Sequence, residues 1–287
     1  MLVHIKEIVS KARDNNYGIG AFNVANLETT LGVIRGAVKA NAPIIIQVSE
    51  KTIQYAGLKP ITHIVQTIAK NEAAGIPVAL HLDHGHSFKS VSECINAGFS
   101  SIHIDASELP YDENVKITKE SVDYAHKHGV WAQGELGIIF GKEGLTKGNF
   151  EKLEEFLTDP KQAVDFVKQT GVDTLAISVG TYHGRFKGKE KIYFDRLEEI
   201  RKVIDVPLVL HGASGIKDED LTKAIKFGIS IVNIDTSLRV AFTDALRETI
   251  AKQSDYVDPR QVLQPSIDAV AGVVERKINH LGSNNKA

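Results

Sequence analysis

Eight short apolar runs, rich in β-branched residues, alternate along the chain with longer segments in which apolar positions recur every three or four residues. The runs are nearly continuous in apolar residues, which is typical of strands buried on both faces of a parallel sheet. The predicted strands cover residues 18–24, 43–49, 78–84, 100–106, 130–136, 174–180, 207–213 and 230–236.

The segments between the runs have helical spacing. Residues 26–41 place Leu27, Leu31, Ile34 and Val38 three or four positions apart, so that they share one face of a helix. Further helices are predicted over 112–129, 158–171 and 218–228, each ending on a glycine. Eight strand–helix units in series predict a closed (β/α)8 TIM barrel of the α/β class. The alternative is an open doubly wound sheet, which usually carries a glycine-rich loop after its first strand, and 22–26 is not such a loop.

Three segments lie outside this repeat. Residues 1–16 are amphipathic and predict an extra helix that covers the bottom of the barrel. Residues 137–157 form a long loop after the fifth strand, of the length usually associated with function. Residues 258–287 predict a C-terminal helix that begins at Asp258 and Pro259. No domain boundary is visible, so residues 1–287 are predicted to form a single barrel domain.

Composition narrows the class of protein. With 43% hydrophobic and 24% charged residues and a net charge of -2, the chain has no bulk electrostatic attraction for nucleic acid or an anionic membrane. Cys94 is the only cysteine, which excludes an internal disulfide and a thiolate metal cluster. The chain starts with a helix pattern in place of a signal peptide, and no apolar run approaches the roughly 20 residues of a membrane span. We expect a cytoplasmic protein.

Polar residues follow every predicted strand. Active sites of (β/α)8 barrels are built at the carboxyl ends of the strands, so these side chains are candidates for binding and catalysis. In chain order they are Asn23; Gln47 and Ser49; Asp83 and His84; His103 and Asp105; Glu135; Thr181, His183 and Gly184; His211, Gly212 and Ser214; and Asn233, Asp235 and Thr236.

Three of these histidines, His84, His183 and His211, each close a different strand. Three neutral imidazoles that converge on a barrel axis would make a zinc site with one open position for a substrate oxygen. The alternative is that each imidazole only caps its strand. In "HLDHGHS", His81 is expected to support the strand, as is His103 on the next strand, and His86 is left between a contact with the site and solvent.

Two glycine-containing motifs, "HGASG" (211–215) and "NIDTS" (233–237), follow strands seven and eight. In many barrels these two loops hold a phosphate through backbone N–H groups and hydroxyls. Ser214 and Thr236 supply hydroxyls here, and Lys187 lies on the preceding loop. The alternative is that the glycines merely turn the chain.

The motifs "LDHG", "IDAS", "GELG" with a following Glu143, "GTYHG", "LVLHGASG" and "VNIDT" occur in this order over the whole chain. Together they resemble the class II, zinc-dependent ketose-bisphosphate aldolases, most often fructose-1,6-bisphosphate aldolase. The resemblance implies reversible cleavage of fructose 1,6-bisphosphate to dihydroxyacetone phosphate and glyceraldehyde 3-phosphate, in glycolysis or gluconeogenesis. Tagatose 1,6-bisphosphate or another substrate that yields dihydroxyacetone phosphate remains an alternative. A metal-dependent hydrolase and a sugar-phosphate sensor are alternatives of a different class.

The same resemblance implies a role for each matching position. His84, His183 and His211 would bind zinc, Glu135 would be an alternative ligand, and Asp105 would serve a second divalent ion. Asp83 would act as acid and base on the C4 hydroxyl, and Glu143 would move the proton at the dihydroxyacetone phosphate carbon. Substrate and its phosphates would be bound by Asn23, Ser49, Gly184, Lys187, Gly212, Ser214, Asn233, Asp235, Thr236 and Arg239. A monovalent cation, Na+ or K+, would lie near the carbonyls of Gly184 and Gly212.

Some features of the resemblance concern specificity and assembly. Asp235, Thr236 and Arg239 form the Asp-Thr-x-x-Arg pattern of fructose-bisphosphate enzymes, although Arg239 alone could equally be a solvated helix residue. The C-terminal helix is similar to the one through which such enzymes form homodimers or homotetramers, with Arg276 or Lys277 reaching the neighbour. The chain departs from the usual pattern at three positions of the strand-five region, where Gln133 replaces an acid, Phe140 a glycine and Gly144 an aspartate.

Overall fold

Eight parallel strands close into a barrel in chain order, as the pattern of apolar runs predicts. The computed structural model describes residues 1–73, 75–141, 154–184, 191–253 and 255–287. The strands are β1 (Ile19–Asn23), β2 (Ile44–Ser49), β3 (Val78–Gly85), β4 (Ser101–Ile104), β5 (Trp131–Leu136), β6 (Thr174–Ile177), β7 (Leu208–Leu210) and β8 (Ile229–Ile234). β1 pairs with both β2 and β8, which closes the barrel.

Eleven helices are named within the described residues. They are α1 (Ile5–Asp14), α2 (Leu27–Lys39), α3 (Glu50–Ala56), α4 (Leu58–Glu72), α5 (Phe88–Asn96), α6 (Tyr111–Lys127), α7 (Pro160–Thr170), α8 (Phe194–Val203), α9 (Asp218–Lys226), α10 (Thr236–Lys252) and α11 (Pro259–Leu281). None of those helices combines the length and the apolar character that crossing a bilayer requires.

Strands β6 and β7 are three residues shorter at their carboxyl ends than the predicted runs. The backbone leaves the ladder there because Gly180 and Gly212 adopt positive φ angles of 99° and 65°. The Thr181 hydroxyl then donates a hydrogen bond of 2.7 Å to the carbonyl of His211 and ties the two strand ends together. The apolar run therefore predicts the strand, and the glycines set where it ends.

Helix α1 closes the bottom of the barrel, as predicted. Its apolar face, Ile5, Ile8, Val9 and Ala12, packs against the lowest residues of the barrel interior, including Ile19. The His4 side chain accepts a hydrogen bond from the backbone N–H of Lys6 and so caps the helix. Access to the barrel interior is therefore left to the opposite, carboxyl-terminal end of the strands.

Helix α11 packs closely against α2 on the outside of the barrel. A Cβ atom at Gly32 would lie 2.7 Å from the Val270 side chain, and one at Gly36 would lie 2.6 Å from the carbonyl of Ala271. Asp258 caps α11 with Pro259 in its first turn, as predicted. Lys277 does not fit the expected reach toward a neighbouring subunit, because it is buried and its Nζ donates to Asp218 of the same chain at 2.7 Å.

Candidate metal centre and active site

The end of strand β3 is irregular, and this irregularity aims His84 into the barrel. The pairing of β3 with β4 shifts in register between Leu82 and Gly85. Within this bulge His84 has φ 47°, a left-handed conformation that is uncommon for a residue with a Cβ atom. Its side chain is buried in the barrel mouth, so a strained backbone positions a predicted metal ligand.

The three histidines predicted to bind metal converge on one point. The ring centroids of His84 and His211 are 4.8 Å apart, those of His84 and His183 5.2 Å, and those of His183 and His211 5.7 Å. The Nε2 atom of His84 lies 3.1 Å from Nδ1 of His211. The three imidazole rings therefore cluster at the end of the strands, close enough to share one metal ion.

Two carboxylates lie beside this centre. Asp105 Oδ2 is 2.6 Å from Nδ1 of His84, and the Ser107 hydroxyl donates to Asp105 at 2.8 Å and to Glu135 at 3.2 Å. Two sets of potential ligand atoms lie within 4.8 Å of one another among the described residues. One comprises Asp83, His84, His103 and His211, and the other His84, His103, Asp105 and Glu135. The donor chemistry, imidazoles with flanking carboxylates, fits a divalent transition metal such as zinc.

The electrostatics of the centre favour a cation. Burial alone would lower the pKa of His84, but the charges of Asp83, Asp105 and Glu135 raise it well above its usual value. Burial lowers the pKa of His211, and the charge of His84 adds to this effect, so His211 is neutral and able to coordinate. Burial and the charge of Asp105 raise the pKa of Glu135 well above the normal range for a carboxyl group. Both raised pKa values indicate a negative electrostatic potential at the site, which favours binding of a cation.

Asp83, the neighbour of His84, is held by amide groups from three other strands. Its Oδ2 atom accepts a hydrogen bond from Asn23 at 2.7 Å, and its Oδ1 atom accepts weaker ones from Gln47 and Asn233, each at 3.4 Å. Its Oδ1 atom is also 3.8 Å from Nε2 of His84. The carboxylate is therefore fixed beside the candidate metal centre, and it lines the cavity that opens above that centre.

The remaining histidines of the region have separate environments. His81 lies below the centre, where its Nδ1 contacts the Ser101 hydroxyl at 2.9 Å, and burial lowers its pKa to about 3. This contact with the neighbouring strand is the supporting role predicted for it. His86 is exposed; its ring stacks on His84 with a centroid distance of 6.5 Å, and its backbone N–H donates to Glu50. Only the ring of His86 approaches the metal centre.

A cavity of about 320 Å3 opens above the metal centre. Gly212 turns the chain there with φ 65°, and a Cβ atom on it would lie 2.5 Å from the carbonyl of Tyr182. Helix α10 starts at Thr236 beside the cavity, so the positive end of its dipole is available to an anion there. Ser214 reaches the same place, since its Oγ atom accepts a hydrogen bond from the Ser237 N–H.

Most of the predicted site residues line this cavity. They are Asn23, Asp83, His84, His183, Gly184, His211, Gly212, Ser214, Asn233, Asp235, Thr236 and Arg239. Asp105 and Glu135 lie with the histidines of the metal centre. Ser49 is not among the described residues of the cavity wall: it caps α3, where its Oγ atom accepts from the Thr52 N–H at 3.3 Å. Glu143, Gly144 and Lys187 lie outside the described residues.

Three residues of the cavity wall were not predicted from the sequence: Ala213, which lies inside the HGASG motif, Lys51 and Tyr182. Lys51 lines the cavity from the first turn of α3, and the signal for it was a cation two positions after Ser49 at the end of strand two. Tyr182 lines it next to His183, one of the predicted metal ligands. Phe140, one of the unusual residues of the strand-five region, is buried, and its ring packs on Phe156 and Tyr182 with centroid distances of 4.8 and 6.2 Å.

Residues 3–286 match the family model described as "Fructose-bisphosphate aldolase class-II". The chain belongs to the class II fructose-bisphosphate aldolase family. It is 40% identical over 287 residues to the fructose-bisphosphate aldolase of Geobacillus stearothermophilus, and 39% identical to that of Staphylococcus aureus strain Mu50. Each alignment covers 100% of this chain and 99% of the relative. The resemblance seen in the motifs is thus confirmed, and members of this family are carbon–carbon lyases.

Solved structures of similar proteins share the fold. The YdjI aldolase from Escherichia coli K12 superposes with a TM-score of 0.86 at 32% identity, and 100% of both chains is covered. The fructose-bisphosphate aldolase of Campylobacter jejuni has a TM-score of 0.84 at 23% identity, and the match covers 100% of this chain and 97% of that one. This second likeness shows the barrel fold alone.

Proposed function

We propose that the protein catalyses the reversible cleavage of fructose 1,6-bisphosphate to dihydroxyacetone phosphate and glyceraldehyde 3-phosphate. One observation carries this assignment: a buried carboxylate, Asp83, lies beside three converging histidines at the base of a cavity with an anion-binding corner. An aldol cleavage needs a base for a hydroxyl proton, an electrophile for the carbonyl two carbons away, and a holder for phosphate. The names of the aligned relatives support the choice of sugar.

The residues present fit a zinc ion held by His84, His183 and His211. Such an ion, when bound, supplies Lewis-acid polarisation of the substrate's C2 carbonyl. Glu135 is proposed as an alternative ligand, and Asp105 as a residue for a second divalent ion, because both lie within ligand distance of His84. For a monovalent cation, Na+ or K+, we propose the backbone near Gly184 and Gly212, where both glycines have positive φ and line the cavity.

Asp83 is proposed to take the proton of the C4 hydroxyl in cleavage and to return it in condensation. The amide hydrogen bonds from Asn23, Gln47 and Asn233 favour the ionised carboxylate and stop it from rotating. As the C3–C4 bond breaks, its electrons pass toward the C2 carbonyl. Glu143 is proposed to move the proton at C3 of the dihydroxyacetone phosphate product, a role that its place on the strand-five loop suggests.

Phosphate binding is proposed at two ends of the cavity. Gly184, Gly212, Ser214, Asn233 and Thr236 would hold the phosphate of the ketone half at the start of α10. Arg239, whose Nε is 2.6 Å from Asp235 Oδ1, would bind the distal phosphate with its remaining N–H groups. Lys187 is proposed to attract the phosphate of the ketone half by its positive charge. Ser49 is proposed to act indirectly, by capping helix α3, whose first turn carries the cavity residue Lys51.

The test couples cleavage of fructose 1,6-bisphosphate to triose-phosphate detection, in parallel with zinc analysis. Chelation by EDTA and the substitution His211→Ala should each abolish cleavage and lower zinc content. Asp83→Ala should lower kcat at least a hundredfold while zinc stays bound. Cleavage that persists in the chelated enzyme and in His211→Ala would refute a metal-dependent mechanism, and loss of zinc in Asp83→Ala would mean that Asp83 is a ligand.

The same assay on tagatose 1,6-bisphosphate tests the choice of sugar, because the two substrates differ only in configuration at C4. Asp83 is proposed to face the hydroxyl of that carbon, so we expect a higher kcat/KM for the fructose compound. A higher value for the tagatose compound would reassign the substrate without changing the reaction type.

We further propose that residues 1–287 act as one domain, in the cytoplasm, and as a homodimer or homotetramer. The match of the family model to almost the whole chain supports a single functional unit. Light scattering at micromolar concentration should give two or four chains for each particle, and a monomer would contradict the proposal.

A further inference from the structure

The bulge at the end of β3 turns the backbone N–H of His84 toward a side chain of β4. On either side of it the ladder is regular: Leu82 pairs with Ile102, and the N–H of Asp105 donates to the carbonyl of Gly85 at 2.9 Å. At His84 the N–H donates instead to a side chain, Nδ1 of His103, at 3.3 Å. An imidazole of β4 therefore replaces the missing strand carbonyl at the residue with the left-handed φ angle.

This hydrogen bond decides how the protons of His103 are arranged. A backbone N–H can donate only to an imidazole nitrogen that carries no hydrogen, so Nδ1 of the buried His103 is unprotonated. A neutral imidazole whose Nδ1 accepts a hydrogen bond must carry its proton on Nε2. That Nε2 atom lies 3.5 Å from Glu135 Oε2, longer than a well-formed hydrogen bond, and neither atom has a hydrogen-bond partner among the described residues.

His103 also lies close enough to be mistaken for a ligand. Its ring centroid is 4.8 Å from that of His84 and 5.2 Å from that of His211, and it belongs to both sets of potential ligand atoms. A protonated Nε2 has no lone pair for a metal, however, and Nδ1 is already engaged by the His84 backbone. Coordination by His103 would therefore break its hydrogen bond with the buried backbone N–H of His84, which opposes coordination.

We propose that His103 is a positioning residue of the metal centre. Its Nδ1 atom holds the backbone of the proposed ligand His84 in its left-handed conformation. Its Nε2–H group is the donor that would hold the carboxyl of Glu135 once the two atoms, 3.5 Å apart here, close to hydrogen-bond distance. It would then set the direction of the His84 imidazole and the distance of Glu135 from the metal, without touching the metal itself. This role rests on the proposed metal centre at His84, His183 and His211, and not on the identity of the sugar.

Two substitutions separate the two contacts, because each amide mimics one imidazole nitrogen. His103→Asn places an oxygen near the position of Nδ1 and keeps an acceptor for the His84 N–H, but loses the donor to Glu135. His103→Gln places an amide nitrogen near the position of Nε2 and keeps that donor, but loses the acceptor. His103→Leu removes both contacts with little change in volume.

Zinc affinity of the purified full chain, measured by competition with a chromophoric chelator, is the first readout. His103→Leu should bind zinc about 10–100-fold more weakly, the usual effect of losing a group that orients a ligand. His103→Asn and His103→Gln should each recover part of this loss. His81→Leu is the matched control: it removes another buried imidazole, whose Nδ1 contacts the Ser101 hydroxyl, and should leave zinc affinity within about twofold.

The d–d absorption of the Co2+-substituted protein is the second readout, because it reports the ligands of the metal. Band positions and intensities should be the same in the wild-type protein and in His103→Asn. A change typical of a lost nitrogen ligand would overturn the proposal in favour of coordination by His103. The proposal would also be overturned if His103→Leu bound zinc as tightly as the wild-type protein. The same holds if His103→Asn and His103→Gln both bound zinc as weakly as His103→Leu. None of these measurements uses a sugar phosphate, so a failure of the proposed catalytic activity would be seen separately.

Discussion

At the scale of single residues, the barrel mouth contains buried histidines that do different work. His84 and His211 are proposed metal ligands whose rings lie close together. His103 accepts a hydrogen bond from the backbone N–H of His84, and His81 contacts the Ser101 hydroxyl below them. Position at a strand end was enough to predict the first two. For His103 the sequence predicted a supporting role but not its contact with the His84 backbone, because that contact depends on a bulge in β3 that no periodicity of apolar residues reveals.

Gln133 is a second residue through which the ligands are held. Its Nε2 atom lies 3.1 Å from Nε2 of His211, and Asn233 Nδ2 lies 3.0 Å from the same nitrogen. If a metal were bound at Nδ1 of His211, its Nε2 atom would carry a proton and need a hydrogen-bond acceptor. The side-chain oxygen of Gln133 becomes that acceptor when the amide group flips by about 180°.

We therefore expect Gln133→Leu to weaken zinc binding about tenfold while the protein stays folded. Competition with a chelator measures the affinity, and circular dichroism checks the fold. Thr174→Val is the matched control, because it removes only the weak 3.5 Å hydrogen bond to Gln133 Oε1 and should leave the affinity unchanged. Unaltered zinc binding in Gln133→Leu would show that Asn233 alone satisfies His211.

At the scale of elements, the ligands rest on strand ends that are braced from neighbouring segments. His183 follows the short strand β6, and its N–H donates to the carbonyl of Phe140 at 2.7 Å across a parallel bridge between Phe140 and Tyr182. The buried ring of Phe140 anchors this bridge. The sequence marked Phe140 only as unusual, because a bridge between residues 42 positions apart leaves no local pattern.

Gly141 makes this bridge possible. It has φ 132°, and a Cβ atom on it would lie 2.2 Å from the carbonyl oxygen of His183, a backbone atom that cannot move aside cheaply. Gly141→Ala should therefore displace His183 and lower zinc affinity at least tenfold, as measured by the same competition. Gly129→Ala is the control, since Gly129 also has a positive φ but nothing lies within 4 Å of the added atom. Equal zinc affinities of the two variants would contradict a role of the bridge in holding His183.

Helix α1 is an element with a structural task only. Ile8 is buried in the apolar layer between α1 and the barrel bottom, at the end remote from the metal centre. Ile8→Ala should lower the free energy of unfolding by about 2–4 kcal/mol, the cost of truncating a buried aliphatic side chain, without changing zinc affinity. Urea denaturation measures the first quantity. Ile250→Ala, on the exposed face of α10, should change it little, and equal losses in the two variants would show that α1 does not contribute to the core.

At the scale of the whole molecule, the fold could be predicted more completely than the site. Eight apolar runs and the helices between them determine a closed barrel, since parallel strands with right-handed crossovers leave few other topologies. The two terminal helices were also predicted, α1 from its amphipathic pattern and α11 from Asp258 and Pro259 at its start. The ion pair that attaches α11 to α9 was not predicted, because Lys277 and Asp218 are 59 positions apart and meet only when the two helices pack together.

The ion pair between Lys277 and Asp218 therefore links the C-terminal helix to the barrel, and its contribution should depend on pH. The hydrogen bond and charge of Lys277 outweigh the effect of burial and lower the pKa of Asp218 from its usual value of 3.8. Because the carboxyl binds its proton less readily in the folded state than in the unfolded state, its stabilising effect is complete above the unfolded pKa. That effect is lost as the pH falls through the lower pKa of the folded state.

Asp218→Asn should accordingly reduce the free energy of unfolding at pH 7 by about 1–2 kcal/mol. The loss is smaller than for a fully buried pair, because water still reaches the Asp218 carboxylate. The difference between wild type and variant should shrink as the pH is lowered below about 4, which urea titrations at several pH values can follow. Asp123→Asn is the control: its pair with Lys119 on α6 is half exposed and should contribute little at any pH. A difference for Asp218→Asn that stays constant down to pH 2 would mean that the amide fails for steric reasons, and that charge does not hold α11 in place.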